Sequence, residues 1–87
     1  MTPTVAKEEI PNLKIVPAFV DKTKEWRAEL DYAVRLGNEM KGKTLVTFET
    51  TKGPQTVETT VWSYTDNYLQ LKAGTMIPLN SIIDIHF

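Results

Sequence analysis

The chain has 87 residues, no cysteine, and ten basic against eleven acidic residues, a formal charge of −1. That length allows one domain and one core, burying roughly 60 % of the surface exposed by the unfolded chain, and leaves little room for a deep, enclosed active site. The missing thiols exclude disulfides, thiolate metal sites and cysteine nucleophiles, and the balanced charge gives no overall pull toward nucleic-acid phosphates.

Residues 1–12 carry Pro3, Pro11 and mixed charges without periodicity, which predicts a flexible N-terminal arm ahead of a single domain over 13–87. The N-terminus lacks a basic and then apolar leader, and no apolar run approaches the length of a membrane span, so a soluble cytoplasmic protein is expected. Residues 13–20 are more apolar, but Pro17 removes a ladder donor, and an extended segment or edge strand laid against the domain is predicted.

Over residues 21–40 the period becomes helical, with Trp26, Leu30, Ala33, Val34, Gly37 and Met40 on one stripe and Arg27, Asp31, Arg35 and Glu39 on a solvated one. Asp21 or Thr23 is placed to cap the start, and Gly42 suits the left-handed position past the end. Lys41 and Lys43 flank that end, where basic residues complement the helix dipole.

Five strands follow. In residues 43–50, Val46 and Phe48 oppose Leu45, Thr47 and Glu49; a turn over residues 51–55 leads to a strand in which Val57, Thr59 and Val61 face inward and Glu58, Thr60, Trp62 and Tyr64 outward. After the turn Thr65-Asp66-Asn67, Leu69 and Leu71 point inward; Ala73-Gly74 makes a tight turn with φ > 0 at glycine. Ile77 and Leu79 return to the core, Pro78 marks a strand end or an edge, and Ile83, Ile85 and Phe87 share a face of the last strand.

The expected fold class is therefore α+β and mainly β: one N-terminal amphipathic helix packed on a five-stranded antiparallel, strongly bent sheet or small barrel, since closure hides the edges. This order of elements resembles SH3-like and Sm-like barrels. Residues 69–85, Leu-Gln-Leu-Lys-Ala-Gly-Thr-Met-Ile-Pro-Leu-Asn-Ser-Ile-Ile-Asp-Ile, are similar to the ends of bacterial YolD-like and Rof-like proteins, where a strand, a Gly turn, an apolar-Pro or apolar-Arg pair and an Ile-rich strand follow one another. Likeness to the Rof-like family implies a non-catalytic module that occludes a transcription termination factor. Likeness to the Sm family implies RNA contacts from an Asp with an Asn and a later Arg-Gly pair; here Asp66-Asn67 sits in a strand-joining turn and no Arg-Gly pair is present.

No enzymatic motif is found. His86 would act as a base only if Asp84 oriented it and Ser81 or Ser63 approached, and His86, Asp84, Glu49 and Glu58 have no metal-ligand spacing. Gly53-Pro54 and Gly74 are turn glycines, so no catalytic residue, metal or cofactor is assigned. The leading expectation is a binding or regulatory module that offers Trp62, Tyr64 and Tyr68, with Glu58 and Thr60 around them, to a protein partner. Residues 13–20 or the helix covering Trp62 is the structural alternative. Single-stranded nucleic acid stacked on the same aromatics, with Lys43, Lys52 and Lys72 at phosphates, is the second expectation, and homo-oligomer formation through the Pro78 edge or the last strand the third.

Overall fold

A computed structural model describes residues 4–18 and 24–87. Among these residues seven strands form two sheets beside one α-helix: β1 (Thr4–Val5), β3 (Gly53–Thr59), β2 (Thr44–Thr50) and β7 (Ile82–His86), neighbours in that order, make one sheet, and β4 (Val61–Tyr64), β5 (Tyr68–Leu71) and β6 (Met76–Pro78) the other. The expected single five-stranded sheet or closed barrel is thus replaced by two sheets, of four and three strands. The strand expected to run through residues 57–64 breaks at Thr60: Thr59 pairs with Thr44 in the larger sheet and Val61 with Leu71 in the smaller. Across this corner the Lys72 amide donates to the Thr60 carbonyl at 3.0 Å.

Between the sheets lie Val46, Phe48, Val57, Val61, Leu69, Leu71, Ile77, Leu79, Ile82 and Ile85, all buried. Alternation accounts for most of them, because every second residue of a strand points to one face. The turns are those the residues require. Gly53 has φ 99° and Gly74 φ 84°, and the Thr50 hydroxyl donates to the Gly53 carbonyl while accepting from the Lys52 amide. The first hairpin is tighter than expected, since Pro54 and Gln55 already belong to β3.

The helix, α1, spans Arg27–Met40 and is not the first element; β1 and a 3₁₀ turn over Lys7–Asn12 precede it. The described part of the expected arm packs on the sheet, with Thr4 and Val5 beside Thr56 and Val57 and with Ile10 in the core. The proposed caps Asp21 and Thr23 lie outside the described residues. On the helical stripe Leu30, Ala33 and Gly37 are buried and Trp26 and Val34 pack against the core, whereas Met40, expected on that stripe, is 73 % exposed. Lys41, with φ 52°, takes the left-handed position assigned to Gly42. Gly42 answers a different need, since a Cβ there would lie 2.6 Å from Leu36 Cγ.

Residues 14–16 form the expected extended segment. They continue the edge of β2 where β7 stops, through an isolated Ile15–Thr50 bridge, the Val16 amide on the Glu49 carbonyl and the Thr51 amide on the Lys14 carbonyl. Among the described residues no helix is long and apolar enough to cross a membrane.

Candidate functional site

A bulge at Trp62 decides which aromatics reach the surface. Val61 faces Leu71, but Ser63 faces Gln70 and Tyr64 faces Leu69, so β4 holds one residue more than β5 between these pairs. The extra residue reverses the alternation beyond it. Val61 and Tyr64 point to the core side of the smaller sheet, while Trp62 and Ser63 both point outward. Ser63 Oγ donates to Gln70 Oε1 at 2.7 Å on that outer face.

Tyr64 consequently does not share a surface with Trp62, contrary to expectation. It packs against the core and its hydroxyl donates to Asp31 Oδ1, so Asp31 belongs to a helix–sheet contact rather than to a free solvated stripe. The phenol is held above its ordinary pKa of 10.0, first by that hydrogen bond, then by loss of water, then by the negative charge of Asp31. An open depression of about 480 Å³ lies here, lined by Asp31, Val34, Arg35, Ser63 and Tyr64. The nearby Arg27–Asp66 pair, 3.9 Å apart and widely exposed, adds little stability.

The outer face of β4, β5 and β6 can be read from the register. Ser63, Gln70 and Met76 form one row, and Tyr68 and Pro78 form the next. Trp62 stands beside the first row. Trp62, Tyr68 and Met76 are 43 %, 45 % and 41 % exposed. Thr65 Oγ1 accepts from the Asn67 and Tyr68 amides and so fixes the turn that presents Tyr68. Asn38 Nδ2 donates to the Trp62 carbonyl at 3.3 Å, tying the helix to the bulge from behind. Of residues 13–20, expected as the alternative cover of Trp62, 19 and 20 lie outside the described residues, and Val16 and Ala18 bond to Glu49 and Asn80, while Trp62 keeps its exposure.

The remaining expected site residues fall elsewhere. Glu58 is on the outer face of the larger sheet, opposite Leu45, and Thr60 is at the corner beneath Gly37. Met76 was not foreseen as part of the patch, although its alternation with the inward Ile77 was a sufficient signal. Lys43 and Lys52 bracket β2, whose seven extended residues hold their backbones roughly 20 Å apart. The chemistry considered at the last strand is not assembled: Asp84 and His86 face outward, opposite Thr47 and Leu45, while the Ser81 hydroxyl is donated to the Pro78 carbonyl at 2.6 Å and Ser63 is bonded to Gln70. Among the described residues no group of three or more His, Cys, Asp or Glu side chains is placed to hold a metal.

Among the described residues, exposed apolar side chains gather on the outer face of the smaller sheet, and a separate exposed pair, Tyr32 on α1 and Phe87 after β7, meets edge to face with ring centroids 4.6 Å apart. Comparison with protein-family models, with curated proteins and with solved structures gives no match for this chain.

Proposed function

We propose that the protein is a small non-catalytic binding module that contacts a protein partner through the outer face of β4, β5 and β6. The observation that carries this reading is the exposure of Trp62, Tyr68 and Met76 on one face of one short sheet, with Gln70 and Ser63 between them as polar contacts. Aromatic side chains bury much area at low entropic cost, and both aromatic and methionine side chains are enriched at interfaces. Two sheets joined at Thr60 and by the 3₁₀ turn Leu79–Ser81 also support an SH3-like arrangement left open between β6 and β7.

Tyr68→Lys and Met76→Lys test the reading, because each keeps an aliphatic stem over the sheet while placing a charge on its outer face. Capture of a partner from a lysate by the parent chain is expected to be lost in both variants, with melting temperatures close to the parent's. Capture that survives both substitutions refutes the assignment. Stacking aromatics also suit single-stranded nucleic acid, and Lys72 follows β5 directly, but the charge of −1 disfavours it. Salt-sensitive binding of an oligonucleotide that Tyr68→Lys abolishes would make that ligand the occupant of the same face.

A further inference from the structure

At one end of the larger sheet stands β7. Among the described residues β7 pairs only with β2. In β2 the even-numbered residues exchange backbone bonds with β3, as the tight hairpin between Thr50 and Gly53 requires, so the odd-numbered ones turn theirs the other way. Glu49 does so visibly, its carbonyl accepting from Val16. β7 therefore bonds to β2 through Asp84 and His86, and the N–H and C=O of Ile85 are aimed away from β2, at an edge that no other described residue pairs with. Neither Ile85 nor Phe87 makes a backbone bond outside the ladder among the described residues.

Other edges are protected. On β6, Pro78 has no N–H and its carbonyl is taken by Ser81; β1 is two residues long. β7 offers five residues, Ile-Ile-Asp-Ile-His, with neither proline nor lysine, and only the bulge at Ile83 interrupts it. Phe87, just beyond, is 48 % exposed.

From this edge we propose that two copies of the chain pair antiparallel through β7, with Ile85 opposite Ile85 of the partner subunit on a two-fold axis. Backbone polarity and charge select this register together. With Ile85 on the axis, the outward N–H and C=O groups of the two copies meet, Asp84 lies opposite the partner's His86, and His86 lies opposite the partner's Asp84. Each carboxylate then accepts from an imidazole N–H, twice by symmetry. A shift that keeps the backbone bonds places Asp84 opposite the partner's Asp84, or His86 opposite the partner's His86, and loses both pairs. The chosen register also brings the exposed Phe87 opposite the partner's Ile83, and the larger sheet becomes continuous across the dimer.

The test is sedimentation equilibrium of the full 87-residue chain from about 10 μM to about 1 mM, with amide exchange measured across the same range. A reversible dimer is expected, in which exchange of the Ile85 amide slows as concentration rises and that of Met76, on the β6 edge, does not. His86→Asp sets carboxylates against each other twice and should weaken the dimer roughly tenfold, whereas Asp84→His with His86→Asp restores the pairs and should return it to within about threefold of the parent. Both positions are exposed, so the variants report on pairing rather than on folding. A monomer throughout, a dimer indifferent to His86→Asp, or slowed exchange at Met76 instead of Ile85 overturns the proposal.

Discussion

Gly37→Ala sets two effects against each other, and the structure decides between them. Alanine in a helix interior is favoured over glycine by about 1 kcal/mol, so intrinsic propensity alone makes the variant more stable. But a Cβ at residue 37 would stand 2.2 Å from the Val61 carbonyl oxygen, 2.9 Å from Thr60 Cγ2 and 3.2 Å from the Val61 carbonyl carbon. The first and last are backbone atoms, and Val61 is locked to Leu71 by pairing. They cannot swing away as a flexible side chain would, so α1 has to retreat from β4 by roughly 1 Å through a close-packed seam. Overpacking of this kind costs about 1–3 kcal/mol, and a clash with backbone belongs near the upper end. Set against the propensity gain, the net loss is about 2 kcal/mol, which for a domain of this size lowers the melting temperature by roughly 8–16 °C. Urea denaturation and a thermal melt measure it directly. A Gly37→Ala protein as stable as the parent would show that the helix does not rest on β4 as described.

Lys41 occupies a left-handed conformation at φ 52°, so Lys41→Gly should raise stability by about 0.5–1 kcal/mol in urea denaturation; a loss of stability counts against the cap geometry. Ile82 is 1 % exposed and Ile83 is the bulged residue, so Ile82→Ala should cost about 2–5 kcal/mol and Ile83→Ala much less; the reverse order would restore the uninterrupted alternation. Tyr64 holds its proton more tightly in the folded chain than in the unfolded one, so its contribution to stability is fully present below pH 10.0 and is lost as pH rises through the raised value. The fall in urea midpoint above pH 10 should be smaller in Tyr64→Phe than in the parent, and an equal fall in both proteins removes Tyr64 as its cause.

The helix stripe, the glycine turns and the inward residues of β2, β5 and β6 were legible in the sequence because each rests on local chemistry: a period, a positive φ, an apolar alternation. What was not legible came from single-residue insertions. Residues 57–64 read as one uninterrupted alternation, which puts Trp62 and Tyr64 on the same surface, and residues 82–87 read as another, which puts Ile83 on one face with Ile85 and Phe87. Bulges at Trp62 and Ile83 break both patterns. A bulge is specified by how two strands fit together, and nothing in either strand alone announces it. The division into two sheets at Thr60 is of the same kind, because it depends on Thr44 and Leu71 claiming opposite halves of one apparent strand. For the candidate site, Trp62 was visible as a large aromatic on the outward face of a strand and Tyr68 as the aromatic just past a turn, while Glu58, Thr60 and Tyr64 were grouped with Trp62 by an alternation that the break at Thr60 and the bulge at Trp62 do not preserve.

The bulge also means that residue 62 can change in two ways, in the indole and in the count. Replacing Trp62 by any other residue alters the surface but leaves the phase of β4 intact. Deleting it would remove the bulge and leave Ser63 opposite Gln70 and Tyr64 opposite Leu69, so the ladder would close up with the serine still outward and the phenol still inward. The Ser63–Gln70 and Tyr64–Asp31 bonds would survive, while the indole and the carbonyl that Asn38 holds would be lost. Position 62 is thus a place where β4 can be shortened by one residue without turning Tyr64 out of the core, so the spare residue of the bulge gives this strand a tolerance to deletion that a regular ladder lacks.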